Sequence, residues 1–191
     1  MGTIIKTRIR HRFSVLLSRS RARKVLPYVH GRVLDVGCGV GTIIEFLPRD
    51  TDYVGVDSVR NVVEKLLSIY PRVSAHVLDI QREVLSCREP FDAILAIALI
   101  EHLKRPLDFL DLYLPLLAPG GKIVVTTPTR LGDRVHHMLQ VVGITDPGVS
   151  DVHHHIYRLH ELVDLLEGRG LEVVASRRFQ MGMNQIAVGR K

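Results

Sequence analysis

The sequence predicts an α/β fold, a doubly wound and mostly parallel sheet with helices on both faces. Three observations predict it. Short β-rich runs alternate with helix-sized stretches through most of the chain, which implies right-handed βαβ units. A buried strand runs directly into a cluster of glycines that opens a helix, at Val33-Leu34-Asp35-Val36-Gly37-Cys38-Gly39-Val40-Gly41. The last two strands are separated by a short loop holding Gly182, with no room for a crossover helix, so that pair must be antiparallel.

In order, strands are expected at 32–36, 52–57, 73–78, 91–98, 122–127, 171–176 and 185–188, with helices at 41–47, 59–69, 107–114 and 159–167. In the third helix Leu107, Leu110, Leu114 and Leu117 share one face, and Pro115 kinks or ends it. Residues 1–30 precede the alternation; Phe13, Leu16 and Leu17 there suit an apolar helical patch. Residues 128–157 interrupt it, and their Gly132, Gly143, Pro147 and Gly148 with five of the ten histidines read as a short helix and a loop. The 191 residues suit one domain over 1–191, with 1–30 as a basic arm and 128–157 as an insert or lid.

Composition narrows the function classes. The longest unbroken apolar run, 93–100, is too short to span a bilayer. The two cysteines, Cys38 and Cys87, make neither a disulfide framework nor a four-thiolate zinc site, and a cytoplasmic or membrane-peripheral location is expected. Lys and Arg number 26 against 20 Asp and Glu. Eight of these cations lie in residues 1–30, where there is no acid; the remainder holds 18 cations against 20 acids and is slightly acidic. A chain basic at one end only is not built around a nucleic-acid groove. Its arm suits a phosphate, an anionic membrane surface, another acidic group or solvent. The arm's arginines with Ser14, Ser18 and Ser20 also have the composition of an organelle transit peptide, although nothing marks a cleavage site.

The glycine spacing G-x-G-x-G differs from the G-x-G-x-x-G of nicotinamide sites, and Asp35 is a poor neighbour for a pyrophosphate. A nucleoside without phosphates, carrying a cationic group, suits it better.

From Val33–Gly41 onward the chain resembles the class I S-adenosylmethionine-dependent methyltransferases, of the small-molecule, quinone-type branch. Four further motifs carry the resemblance: Tyr53-Val54-Gly55-Val56-Asp57, Asp79-Ile80, Phe91-Asp92-Ala93-Ile94-Leu95-Ala96 and Leu117-Ala118-Pro119-Gly120-Gly121-Lys122-Ile123. The resemblance implies a seven-stranded sheet in the order 3-2-1-4-5-7-6 with strand 7 antiparallel. It implies S-adenosylmethionine, leaving as S-adenosylhomocysteine, at Asp35, Gly37, Cys38, Gly39, Gly41, Asp57, Ser58, Asp79, Ile80, Ala96 and Ile97. Asp57 would accept both ribose hydroxyls; Asp79 with the Ile80 N–H would read the adenine; the Cys38 thiol is assigned no chemistry.

Methyl transfer from a sulfonium is an in-line displacement that needs alignment and, for some acceptors, a base. Ile100-Glu101-His102-Leu103 is similar to the Glu-His pair of quinone-type relatives, which makes His102 the candidate base or substrate contact. Ala98 stands where some of those relatives carry another acid, which argues against metal assistance. His136, His153, His155 and Tyr157 are candidate substrate contacts in the lid wall. Their spacing supplies no recognised metal set, and no metal is expected. The expected activity is methyl transfer to a small-molecule or lipid-like acceptor. RNA or protein methylation, and a catalytically silent binding fold, stay open as alternatives; the absence of Trp and the scarcity of aromatics argue against base stacking.

Overall fold

The computed structural model describes residues 16–141 and 154–191. A helix, α1, covers residues 16–25 and ends in a 3-10 turn, Leu26–Tyr28. Then follow β1 (Val33–Val36), β2 (Tyr53–Asp57), α2 (Arg60–Ile69), β3 (Ser74–Val77), β4 (Phe91–Ile97), α3 (Pro106–Tyr113) and β5 (Leu117–Pro128). The chain closes with α4 (Arg130–Val141), α5 (Leu159–Glu167), β6 (Glu172–Phe179) and β7 (Asn184–Arg190). The seven strands form one sheet in the order β3-β2-β1-β4-β5-β7-β6. All neighbours are parallel except β7, which is antiparallel to both β5 and β6.

The period-2 alternation of the strands builds a core on each face. Leu34, Val36, Val56, Ile94, Ala96, Ile123 and Val125 point to one side, against Phe109, Leu110 and Tyr113 of α3 and Leu162 and Leu166 of α5. Val33, Tyr53, Ala93, Leu95, Val124 and Ile186 point to the other, against Ala22 and Val25 of α1, Ile43 of the glycine turn and Leu66 of α2. The central strands are therefore apolar on both faces, as buried parallel strands must be.

Several expectations are corrected. The stretch 41–47 is a 3-10 turn over Thr42–Phe46, because Gly41 in the left-handed region (φ 73°) sets a tight turn and Pro48 follows it. Leu107 is exposed, not buried with Leu110; α3 instead buries Phe109, Leu110 and Tyr113, and Pro115 diverts the chain into a 3-10 turn at Leu114–Leu116. Strands β5 and β7 pair over Lys122 to Pro128 and Asn184 to Arg190, longer than their apolar runs suggest. In α1 the residues that pack are Ala22 and Val25, while Leu16 is exposed and Leu17 half-buried; Phe13 lies outside the described residues. The insert's helix is α4, and 142–153 also lie outside the described residues.

Candidate functional site

The glycine turn leaves β1 at the carboxyl edge of the sheet, where ligands of open α/β folds bind. Gly37, Gly39 and Gly41 all have left-handed backbone, φ 71°, 55° and 73°, a conformation that costs other residues roughly 1–2 kcal/mol. They differ in what surrounds them. A Cβ on Gly37 would press on Leu99 and one on Gly41 on Ile44 and Leu66, whereas one on Gly39 would meet nothing within 4 Å. Gly37 and Gly41 thus serve packing and the turn, and Gly39 presents its backbone to open space.

Asp57, at the end of β2, ties this turn to the next strand. Its Oδ2 accepts the Gly39 N–H at 3.0 Å and its Oδ1 accepts the Val59 N–H at 3.0 Å. A carboxylate has about four acceptor sites, so both oxygens keep capacity for further donors, and the side chain is half-exposed toward them. Ser58 is exposed just beyond it.

Asp35 lies in the layer beneath the turn. It is 3% exposed and its Oδ2 accepts the Tyr53 hydroxyl at 2.8 Å. Burial pushes its carboxyl up to about 7; the Tyr53 hydrogen bond opposes this and the Asp57 charge adds to it. Cys38 packs in the same layer, and burial followed by the charges of Asp35 and Asp57 raises its thiol well above the usual range, so it is no thiolate. A Cβ at Gly55 would strike Cys38 Sγ and the Tyr53 ring; the glycine of β2 makes room for this layer.

Asp79 lies two residues beyond β3, exposed, and closes the turn that follows: its Oδ1 accepts the Gln81 N–H at 3.2 Å and its carbonyl accepts those of Arg82 and Glu83. Ile80 is buried beside it. At the exit of β4, Ala96 is buried and Ile97 half-buried. Ala98 is left-handed at φ 52°, held by its N–H donating to the Thr126 carbonyl and hydroxyl.

Beyond Ala98 a 3-10 turn, Ile100–His102, carries the Glu-His pair. His102 is half-buried. Glu101 is 1% exposed, and its Oε2 has no hydrogen-bond partner among the described residues. Burial pushes its carboxyl up to about 7, against its own backbone hydrogen bond and the Arg21 guanidinium of α1. The Glu101 carbonyl accepts the N–H groups of His154 and His155, which brings the last residues of the insert to this edge. There Tyr157 is buried, its hydroxyl pushed up to about 12 by burial and by the charges of Glu101 and Glu161.

His102 and Tyr157 therefore share one neighbourhood with Glu101. His155 stacks edge-on to Tyr157 at 4.5 Å between ring centres and points its Nε2 at Glu161, 3.4 Å away; Glu161 also accepts the Arg158 N–H at the start of α5. His155 thus braces the entry to α5. His136 is half-buried on α4, and His153 lies outside the described residues. Among the described residues no group of three or more His, Cys, Asp or Glu is disposed to hold a metal.

Sequence reasoning missed Arg21, the buried carboxyl of Glu101, and Gln185. The Gln185 Nε2 donates to Thr127 Oγ1 and to the Tyr157 carbonyl at 2.7 Å, pinning the Tyr157 segment to β5 and β7. A polar residue in the buried β7 pattern was the available signal for Gln185. Arg21 and Glu101 are 80 positions apart with no local signal that their charges interact.

The family model of a methyltransferase domain matches residues 5–176. The ubiquinone biosynthesis O-methyltransferase of Xylella fastidiosa (strain 9a5c) is 32% identical over 125 residues, covering 63% of this chain and 50% of that protein. Its counterpart in Roseobacter denitrificans (strain ATCC 33942 / OCh 114) is 29% identical over 164 residues, 80% of this chain and 64% of that protein. The chain thus matches about half to under two thirds of these relatives' length. A crystal structure of an S-adenosylmethionine-dependent methyltransferase from Archaeoglobus fulgidus shares the fold with a TM-score of 0.70 at 17% identity, covering 93% of this chain and 94% of that one.

Proposed function

The chain belongs to the methyltransferase domain family, and on that premise we propose that it transfers a methyl group from S-adenosylmethionine to a small-molecule or lipid-like acceptor. One observation carries the reading: the open, left-handed Gly39 held by the Asp57 carboxylate. When bound, S-adenosylmethionine supplies an electrophilic methyl on a sulfonium. Its ribose hydroxyls match the remaining acceptor capacity of Asp57, and the space above Gly39 admits a close-lying ligand. Asp79 and Ile80 flank the adenine end, Ala96 and Ile97 the methionine end, and Ser58 the rim; Asp35, 3% exposed and bonded to the Tyr53 hydroxyl, supports the turn from beneath instead of touching the ligand. The chain's own work is alignment, exclusion of water and handling of the acceptor's proton.

The names of the relatives favour a hydroxylated, lipid-like acceptor that is methylated on oxygen. Such an acceptor loses a proton, and the polar groups at the β4 exit are suited to taking it, with His102 as the base, Glu101 beside it and Tyr157 in the wall. The described parts of the arm and the insert, α1 and α4, are suited to lie over the acceptor, with the basic arm toward an anionic group or surface; residues 1–15 and 142–153 of the expected lid lie outside the described residues.

The test is methyl transfer from tritiated S-adenosylmethionine into a bacterial lipid extract and, separately, into total RNA. Label in the lipid phase supports the reading; label confined to RNA replaces it. Calorimetry showing no S-adenosylmethionine binding would leave a silent fold. Deleting residues 1–20 should abolish transfer and spare most cofactor affinity; unchanged transfer refutes the lid.

A further inference from the structure

The turn between β6 and β7 is built against its own backbone preference. Its central residues, Gln180 and Met181, are both left-handed at φ 52° and 54°, closed by the Gly182 N–H donating to the Phe179 carbonyl. Hairpins of this kind favour Asn-Gly at those positions, yet here a methionine occupies the second one, 90% exposed. Strain retained at an exposed tip, on a large apolar side chain that packs on nothing, points to a use for that side chain.

Other exposed apolar groups surround it. The Gln180 Nε2 donates to the Leu17 carbonyl, which sets the start of α1, with Leu16 61% exposed, beside the turn. Thr129 bonds to the carbonyls of Gly182 and Met183, which sets the start of α4 on its other side. Along α4 the exposed Leu131, Arg134 and Met138 follow at i, i+3 and i+7, one stripe on the solvent face. The rim is basic. Arg130 and Arg134 are exposed on α4, Arg177 and Arg178 precede the turn, and Arg19, Arg23 and Lys24 with Leu16 and Ser20 line a cleft of about 270 Å³ along α1. Among the described residues of α1, α4 and the turn the one acid is Asp133; Glu45 nearby is paired with Arg19 and neutralises it, which leaves Arg23 and Lys24 as the cations that α1 offers an anion.

We propose that this edge is a membrane-docking face: Met181, Leu16 and the Leu131–Met138 stripe enter the headgroup layer of an anionic bilayer while the surrounding arginines hold lipid phosphates. An apolar ridge inside a basic rim is the pattern of interfacial binding. The ridge flanks the carboxyl edge of the sheet, so docking sets the acceptor side of the site against the bilayer. The inference extends the reading of a lipid-like acceptor, and its test needs neither acceptor nor cofactor.

The full chain is co-sedimented with vesicles of phosphatidylcholine alone and with vesicles containing one-third phosphatidylglycerol. Binding to the second and not the first, weakened by salt, is expected. Arg134→Glu should cut binding by at least roughly fivefold, the worth of about one basic residue at an anionic surface. Met181→Gly is the decisive variant, because glycine relieves the left-handed turn: its melting temperature should rise or hold while vesicle binding falls about tenfold. Failure of the intact protein to bind anionic vesicles overturns the proposal, as does a Met181→Gly variant that binds as well as the parent. Concentration-dependent dimerisation that Met181→Gly abolishes would assign the ridge to a second copy of the chain and also overturn it. Methyl transfer to detergent-dispersed lipid extract is scored separately, so loss of the acceptor reading leaves this result intact.

Discussion

Replacing Tyr53 by Phe tests the buried layer under the glycine turn. Tyr53 donates its hydroxyl to Asp35 Oδ2 at 2.8 Å, and both side chains are almost fully buried. Asp35 titrates near 7 in the folded protein, raised by burial from an ordinary value of 3.8. With a folded pKa above the unfolded one, the native state holds the extra proton between these values, so stability falls as pH rises from about 4 to about 7. The roughly three-unit gap corresponds to about 4 kcal/mol across that window. Above pH 7 the carboxylate is ionised and depends on the Tyr53 hydroxyl, a hydrogen bond to a charged group worth about 1.5–3 kcal/mol. Below pH 6 the carboxyl is neutral and the same bond is worth about 1 kcal/mol. Tyr53→Phe should therefore lower stability by about 0.5–2 kcal/mol more at pH 8 than at pH 5.5, or roughly 1–8 °C more in melting temperature for a chain of this size. Urea unfolding at the two pH values measures it, with Asp35→Asn as the control in which the difference disappears. Equal destabilisation at both pH values would refute the view that Tyr53 acts on the Asp35 charge.

Three further outcomes are expected. Gly39→Ala should cost roughly 1–2 kcal/mol of folding stability from left-handed strain alone while blocking S-adenosylmethionine in calorimetry. Gly132→Ala, whose Cβ would overlap the Met183 carbonyl, should instead destabilise the fold strongly in the same melts; the idea fails if Gly39→Ala binds like the parent. If Asp57 accepts the ribose hydroxyls, Asp57→Ala should weaken S-adenosylmethionine by about 1.5–3 kcal/mol, and unchanged affinity removes Asp57 from the site. If the Glu101 carboxylate takes part in acceptor deprotonation, transfer rises through pH 7, where burial places its titration. Glu101→Gln should remove that limb, and a profile that keeps it assigns the limb to another group.

The sequence by itself determined the alternation of strands and helices, the antiparallel final pair and the glycine turn, because each is written locally: period-2 apolar runs, helix-length spacers and glycines where backbone must turn left-handed. The position of Asp57 was legible for the same reason, since strand ends are set by neighbouring residues, whereas the Glu-His pair was picked out by its resemblance to quinone-type methyltransferases. Tertiary structure alone decided what those groups touch. Asp35 is under the turn because register pairs Asp35 with Gly55 and leaves Tyr53 two residues away to reach it. Glu101 is buried within range of the charge of Arg21 on α1, 80 residues upstream, and Tyr157 is fixed because Gln185 of the last strand reaches its carbonyl. The exposure of Met181 likewise follows from the pairing of β6 with β7, which sets the turn between them. Burial and unmet hydrogen bonds depend on residues distant in the chain, so no local pattern encodes them.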